Sequence, residues 1–334
     1  MRATLSLLVA TVLLCAACSS ESTATTTIAA ATSSTQPTET SEATTSTTQP
    51  DIVPPANTFI GADLVESTIS DTSRIVTLAG DLTEAVWILG FGESVVATDF
   101  TTIYPPEAVG LPIVGVGRFL SAEAVLAQSP TLVIGDTQTS PLVAIEQIRS
   151  AGVPVVILEV PTSFEGLYDK MEGLAMALGV PERGEELVEE VRTAVDTALN
   201  AATSFDTKPK IAFIYSRGPD VMLLFGSEMT TQPMIEGAGG VDVGAASGVT
   251  GTVSVTPEAI VAAAPEVIII TSEGLDALGG IDGLLKIPGF AETPAGRDRH
   301  ILDYPEGDFL TFGPRIAESL ELLITELHSI LGNT

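Results

Sequence analysis

Two Rossmann-like α/β lobes joined by a single long helix are the architecture this 334-residue chain predicts, and three observations lead there. From about residue 74 onward, short apolar runs alternate with helical stretches and glycine turns, the pattern of parallel strands and their crossover helices. A segment beginning at Ser121, SAEAVLAQSPTLVI, returns at Thr256 as TPEAIVAAAPEVII, so one unit is present twice. Between the copies lies one long helical stretch, GVPERGEELVEEVRTAVDTALNAATSF, with Leu187, Val191, Ala194, Val195 and Ala198 at helical spacing.

In the first half the pattern gives a strand at 74–79, a helix at 81–89, a strand near 95–98, the repeat helix, a strand at 132–134, a helix at 142–151 and a strand at 155–158. Asp81 is expected to cap the first helix, with Glu84 closing a capping box. In the repeat, Ser121 and Thr256 read as N-caps and Pro257 takes the favoured first helical position. Glu123 and Glu258 fall in the first turn, where a carboxylate meets the positive end of the helix dipole. Pro130 and Pro265 end these helices. The second half gives strands at 210–215 and 222–225, a helix at 231–237, the repeat with its strand at 267–270, and a closing helix after Gly313-Pro314. The lobes are therefore placed at 60–178 and 208–334, with the connecting helix at 181–203. One rigid helical connection allows only a small hinge motion.

The chain opens MRATLSLLVATVLLCAACSS, with one basic residue, an apolar run too short to span a bilayer, and small residues before a cysteine. That order is a secretory signal over 1–17, and export is expected. The ending LCAAC resembles a bacterial lipobox, with Cys15 where leucine is usual, so Cys18 is the expected lipidation site; an ordinary signal cleaved nearby is the alternative. Both cysteines lie here, which leaves the folded part without a disulfide, a thiolate metal site or a catalytic thiol. Residues 18–57 are mostly Ser, Thr, Ala, Glu and Pro with no aromatic side chain. A tether with too little apolar surface to offset its chain entropy is expected. A formal net charge of −29 excludes nucleic acid as a partner. No GxSxG elbow, phosphate loop, HExxH or glycine fingerprint after a strand is present, which speaks against an enzyme.

One of only four tyrosines stands in the loop DFTTIYPPEA, before two prolines. Pro105 restricts Tyr104 to extended backbone, so the ring is presented by a stiff loop. On its own this is also compatible with a ring packed at a loop edge. The segments RIVTLAGDLTEAVWILGFGESVVATD, TTIYPPEA, LPIVGVGRFLSAEAVLAQSPTLVIG, IYSRGPDVMLLFG, GLDALGGIDGLLKIPGFAETPAG and FGPR together resemble class III, chelatase-like substrate-binding proteins of ABC transporters, which carry haem, cobalamin or ferric siderophores. Within that class they are most similar to the haemin-binding lipoproteins of bacterial haem uptake.

The resemblance implies a receptor held by lipid on the outer face of the cytoplasmic membrane. It would capture haem as transported ligand in the cleft between the lobes and pass it to a permease and ATPase complex. Tyr104 maps onto the iron-ligating tyrosine, and phenolate is a suitable ligand for ferric iron. Met222, Tyr215 and Tyr304 are the candidates for a second ligand, since His300 and His328 read as structural or solvated. Arg118 and then Arg217 are the candidates for the haem propionates. Arg315 comes third, with pairing to a nearby carboxylate as its plainer role. Glu123 and Glu258 would meet arginines of a two-subunit permease. A ferric-siderophore or cobalamin receptor is the nearest rival, and a tetrapyrrole-metal enzyme a more distant one.

Overall fold

In a computed structural model, the structure describes residues 57–116, 119–202 and 207–332. The signal, Cys18, the tether up to residue 56, Arg118 and the last expected residue of the connecting helix lie outside the described residues. Asn57, assigned to the tether, instead opens the strand Asn57–Ile60, which pairs antiparallel with Glu66–Ile69. This hairpin was not expected.

The first lobe is built on four parallel strands in the order Val95–Ala97, Ile75–Thr77, Leu132–Asp136, Val155–Leu158. The second carries the sheet Thr252–Ser254, Met222–Phe225, Lys210–Ser216, Val267–Thr271, Ile301–Tyr304, with Val241–Asp242 added parallel to Lys210–Ser216. Val267–Thr271 pairs parallel with both of its neighbours, Lys210–Ser216 and Ile301–Tyr304, while the Met222–Phe225 strand runs antiparallel to both of its own. The central parallel strands of each sheet are buried on both faces, as parallel strands require, whereas the edge strand Thr252–Ser254 is exposed. Ile75, Leu132, Ile134, Ile211, Phe213, Val267 and Ile269 join the main core, while the alternate residues Val76, Val133, Ala212, Ile214, Ile268 and Ile270 pack on the outer faces.

The main core runs through the connecting helix Pro181–Ala201, a 21-residue element that buries Leu187, Val188, Val191, Val195 and Ala198. The closing helix Ile316–Leu331 packs its Leu320, Leu323 and Leu327 into the same cluster. Among the described residues no helix is long and apolar enough to cross a membrane.

The repeat folds as two short helices, Ala122–Ala127 and Pro257–Ala263. Ser121 Oγ accepts from the Ala124 N–H and Thr256 Oγ1 from the Ala259 N–H, both at 3.2 Å, so both are caps as expected. The expected capping box at Asp81 and Glu84 does not form. The helix Gly80–Val86 starts with Ala79 at its cap and no side-chain cap bond, because cations from elsewhere claim both carboxylates.

Candidate functional site: the cleft between the lobes

A cavity of about 560 Å³ is lined by Ala79, Asp81, Thr101, Asp136 and Lys170 of the first lobe and by Arg217, Phe225 and Glu306 of the second, among others. It continues into a second of about 770 Å³ that shares Phe100, Thr101, Asp136, Phe225 and Met229 with it and adds Tyr215 and Leu223. Volumes of this order suit a small-molecule ligand.

The loop after Val95–Ala97 forms one wall, and hydroxyl groups pin it. Asp99 Oδ1 accepts from the Thr101 hydroxyl at 2.7 Å and its N–H at 3.2 Å, while Thr101 Oγ1 accepts from the Gly80 N–H at 2.9 Å. Thr102 meets Thr83 at 3.0 Å, and Thr83 meets Thr77 at 2.6 Å, all three buried. The loop is thus tied to the start of the first helix and to the central strand behind it. Phe100, Thr101 and Ile103 line the cleft, whereas Tyr104 stands at its edge, 38% exposed and outside the lining. The Arg315 guanidinium lies 4.1 Å from the centre of its ring. Arg315 Nε also donates to Glu84 Oε1 at 3.1 Å, so the pairing of Arg315 with a carboxylate is what the structure contains. Burial pushes the Glu84 carboxyl up to about 7 despite the guanidinium beside it.

In the cleft wall, the buried Lys170 donates to Asp81 at 2.6 Å and to Asp136 at 3.2 Å. The two carboxylates raise the lysine against the effect of its burial, and burial raises Asp136. Burial also pushes Asp99 up to about 6. Sequence reasoning missed this group. The signal was present: Lys170 falls on the apolar face of the helix Phe164–Ala177 with Leu167, Met171 and Leu174, where a lone cation requires a buried partner.

On the second lobe, the Tyr215 hydroxyl lies 3.5 Å from Glu306 Oε1, and Arg217 donates to Glu306 Oε2 at 2.6 Å with its guanidinium 4.7 Å from the Tyr215 ring. Burial raises the Tyr215 phenol. Tyr215 and Arg217 therefore line the cleft together, and Arg217 is already paired.

Two expected ligands do not reach it. Met222 is buried in the outer core of the second lobe while its neighbour Leu223 lines the cleft, because successive residues of a strand face opposite ways. Tyr304 is buried, stacks on Phe309 with ring centres 5.0 Å apart, and donates its hydroxyl to Glu326 of the closing helix. Burial and that carboxylate raise its phenol further. Glu123 and Glu258 are exposed in the first turns of their helices.

Two α/β lobes share a core through one connecting helix and leave a cleft between them, the arrangement of a two-lobed binding protein. The chain belongs to the periplasmic binding protein family, whose model matches residues 75–307. It is similar to the solved periplasmic heme-binding protein RhuT from Roseiflexus sp. RS-1 in apo form, at 41% identity and a TM-score of 0.75, covering 78% of this chain and 99% of that one. Among curated proteins it is 27% identical to an uncharacterized ABC transporter substrate-binding lipoprotein, YvrC, of Bacillus subtilis, over 77% of this chain and 81% of that protein. It is 24% identical to the vitamin B12-binding protein of Vibrio parahaemolyticus, over 68% of this chain and 79% of that one. Binding proteins of this family serve ABC transporters, which implies a permease and an ATPase as partners.

Proposed function

We propose that the protein is an exported haem receptor, anchored through Cys18, that captures ferric haem between its lobes with Tyr104 as iron ligand. It then hands the haem to an ABC permease. The observation that carries this reading is the tyrosine loop, tied by Thr101, Thr102 and Asp99 at the edge of a cleft of suitable volume. The similarity to a heme-binding protein over nearly all of that protein's length supports the same ligand. Tyr215 is the remaining second-ligand candidate that lines the cleft, and Arg217 the propionate candidate, which would exchange Glu306 for the propionate. Glu123 and Glu258, exposed at equivalent places in the two repeats, would register the receptor on two permease subunits.

A corrinoid is the second reading. The first cavity is lined by Asp81, Asp136, Glu228, Glu273 and Glu306 against Lys170 and Arg217, a balance that suits an amide-rimmed corrin better than a dicarboxylate. A vitamin B12-binding relative is consistent with it. The two readings separate on one titration of residues 58–334. Haemin is expected to give a shifted Soret band and the high-spin charge-transfer bands of phenolate ligation. An unchanged haemin spectrum together with tight cyanocobalamin binding would replace haem by corrinoid.

A further inference from the structure

The closing helix begins directly against the first lobe. A Cβ on Gly313 would come within 2.9 Å of Asp81 Cβ, so only glycine lets the backbone pass this close to the helix Gly80–Val86. Two residues on, Arg315 is carried across the seam between the lobes. Its Nε donates to Glu84, which is 2% exposed, and its guanidinium covers the Tyr104 ring at 4.1 Å. A buried carboxylate of the first lobe thus fixes a second-lobe cation over a first-lobe tyrosine. The other charged groups nearby are Glu318, 3.9 Å from Arg315 Nη1, and Asp81, which is taken by Lys170. The same loop also meets the second lobe at Gly307, where a Cβ would lie 2.4 Å from Ile103 Cδ1.

We propose that Arg315 is a positioning residue for iron capture: held by Glu84, it orients the Tyr104 ring and stabilises the negative charge the ring acquires as an iron ligand. This rests on the haem reading above. In the step it assists, the phenol releases its proton to solvent and an oxygen lone pair forms the Fe–O bond, while a weakly held water or chloride leaves the iron. A cation over an aromatic face is favourable even for a neutral ring, and more so once the ring carries charge. Because the cation comes from one lobe and the ligand from the other, iron binding engages both lobes at once.

The test compares Arg315→Gln, Arg315→Lys and the double variant Glu84→Gln/Arg315→Gln, which removes both charges and leaves no unpaired buried carboxylate. Haemin affinity and the energy of the phenolate-to-iron charge-transfer band are measured in each, with Tyr104→Phe as the reference lacking the ligand. Arg315→Gln and the double variant are expected to weaken haemin about tenfold. They should also move the band to lower energy, because the donor oxygen loses its stabilising cation. Arg315→Lys keeps the charge and should hold the band nearer to its original position. A purely structural Arg315 would lower stability without moving the band. Unchanged affinity and band energy in Arg315→Gln and in the double variant, with the band lost in Tyr104→Phe, would overturn the proposal while leaving the haem reading intact. A parent protein without the band would overturn both.

Discussion

The Tyr104 ring is held by an arginine and its loop by three hydroxyl contacts. Tyr104→Phe removes the oxygen and keeps the packing. The charge-transfer bands of bound haemin should disappear, while the unfolding free energy of the ligand-free protein changes by no more than about 0.5 kcal/mol, as is typical of exposed substitutions. Glu84 gives a prediction with a definite sign. Its folded-state value of about 7 lies above the ordinary 4.5, so between those pH values the folded chain holds a proton that the unfolded chain releases. Its contribution is complete below about 4.5 and is lost as pH rises through about 7. The upper bound is on the order of 3 kcal/mol. Asp99, pushed to about 6, acts in the same direction at slightly lower pH. Urea unfolding followed across this window should show stability falling with rising pH, and Glu84→Gln should flatten the slope. A slope of opposite sign in the parent protein would refute the assignment.

At the scale of elements, the connecting helix depends on a close approach. A Cβ on Gly184 would lie 2.4 Å from the Ala175 Cβ, so the helix Pro181–Ala201 packs onto Phe164–Ala177 without a side chain between them. Gly184→Val should cost about 1–3 kcal/mol as an overpacked contact, read as a lower midpoint in urea. The repeated helices give a functional prediction. Replacing both Glu123 and Glu258 by alanine should leave haemin titration unchanged and lower uptake in vesicles containing the transporter. If these carboxylates served only their own helix dipoles, uptake would be unaltered and stability would fall by well under about 1 kcal/mol each. The caps at Ser121 and Thr256, the strand at 155–158 and the helix at 231–237 were legible because their signals are local. A cap is a bond across three residues, and a buried strand is a run of apolar ones. The capping box at Asp81 was misread for the complementary reason: local spacing allowed it, but Lys170 and Arg315 took the carboxylates.

For the whole molecule, ligand binding should appear as added stability. A ligand that binds only the folded state contributes about 2.7 kcal/mol at a hundred times its dissociation constant, which for a body of this size raises the melting temperature by several degrees. Haemin is expected to produce this shift and cyanocobalamin to leave the melt unchanged; the reverse would favour the corrinoid reading. The chain alone determined the two-lobed α/β plan, the connecting helix and the tyrosine in its stiff loop, because periodicity, glycine and proline act over a few residues. Only the tertiary structure decided what surrounds that tyrosine. Arg315 reaches Glu84 across 231 positions of sequence, and Lys170 reaches Asp81 across 89. Met222 and Tyr304 were turned away from the cleft by strand alternation and core packing that the neighbouring sequence does not reveal. Contacts of such separation are set by how strands order within a sheet and how lobes meet across a seam. The free energy that selects them comes from burying whole faces, not from any local pattern of residues.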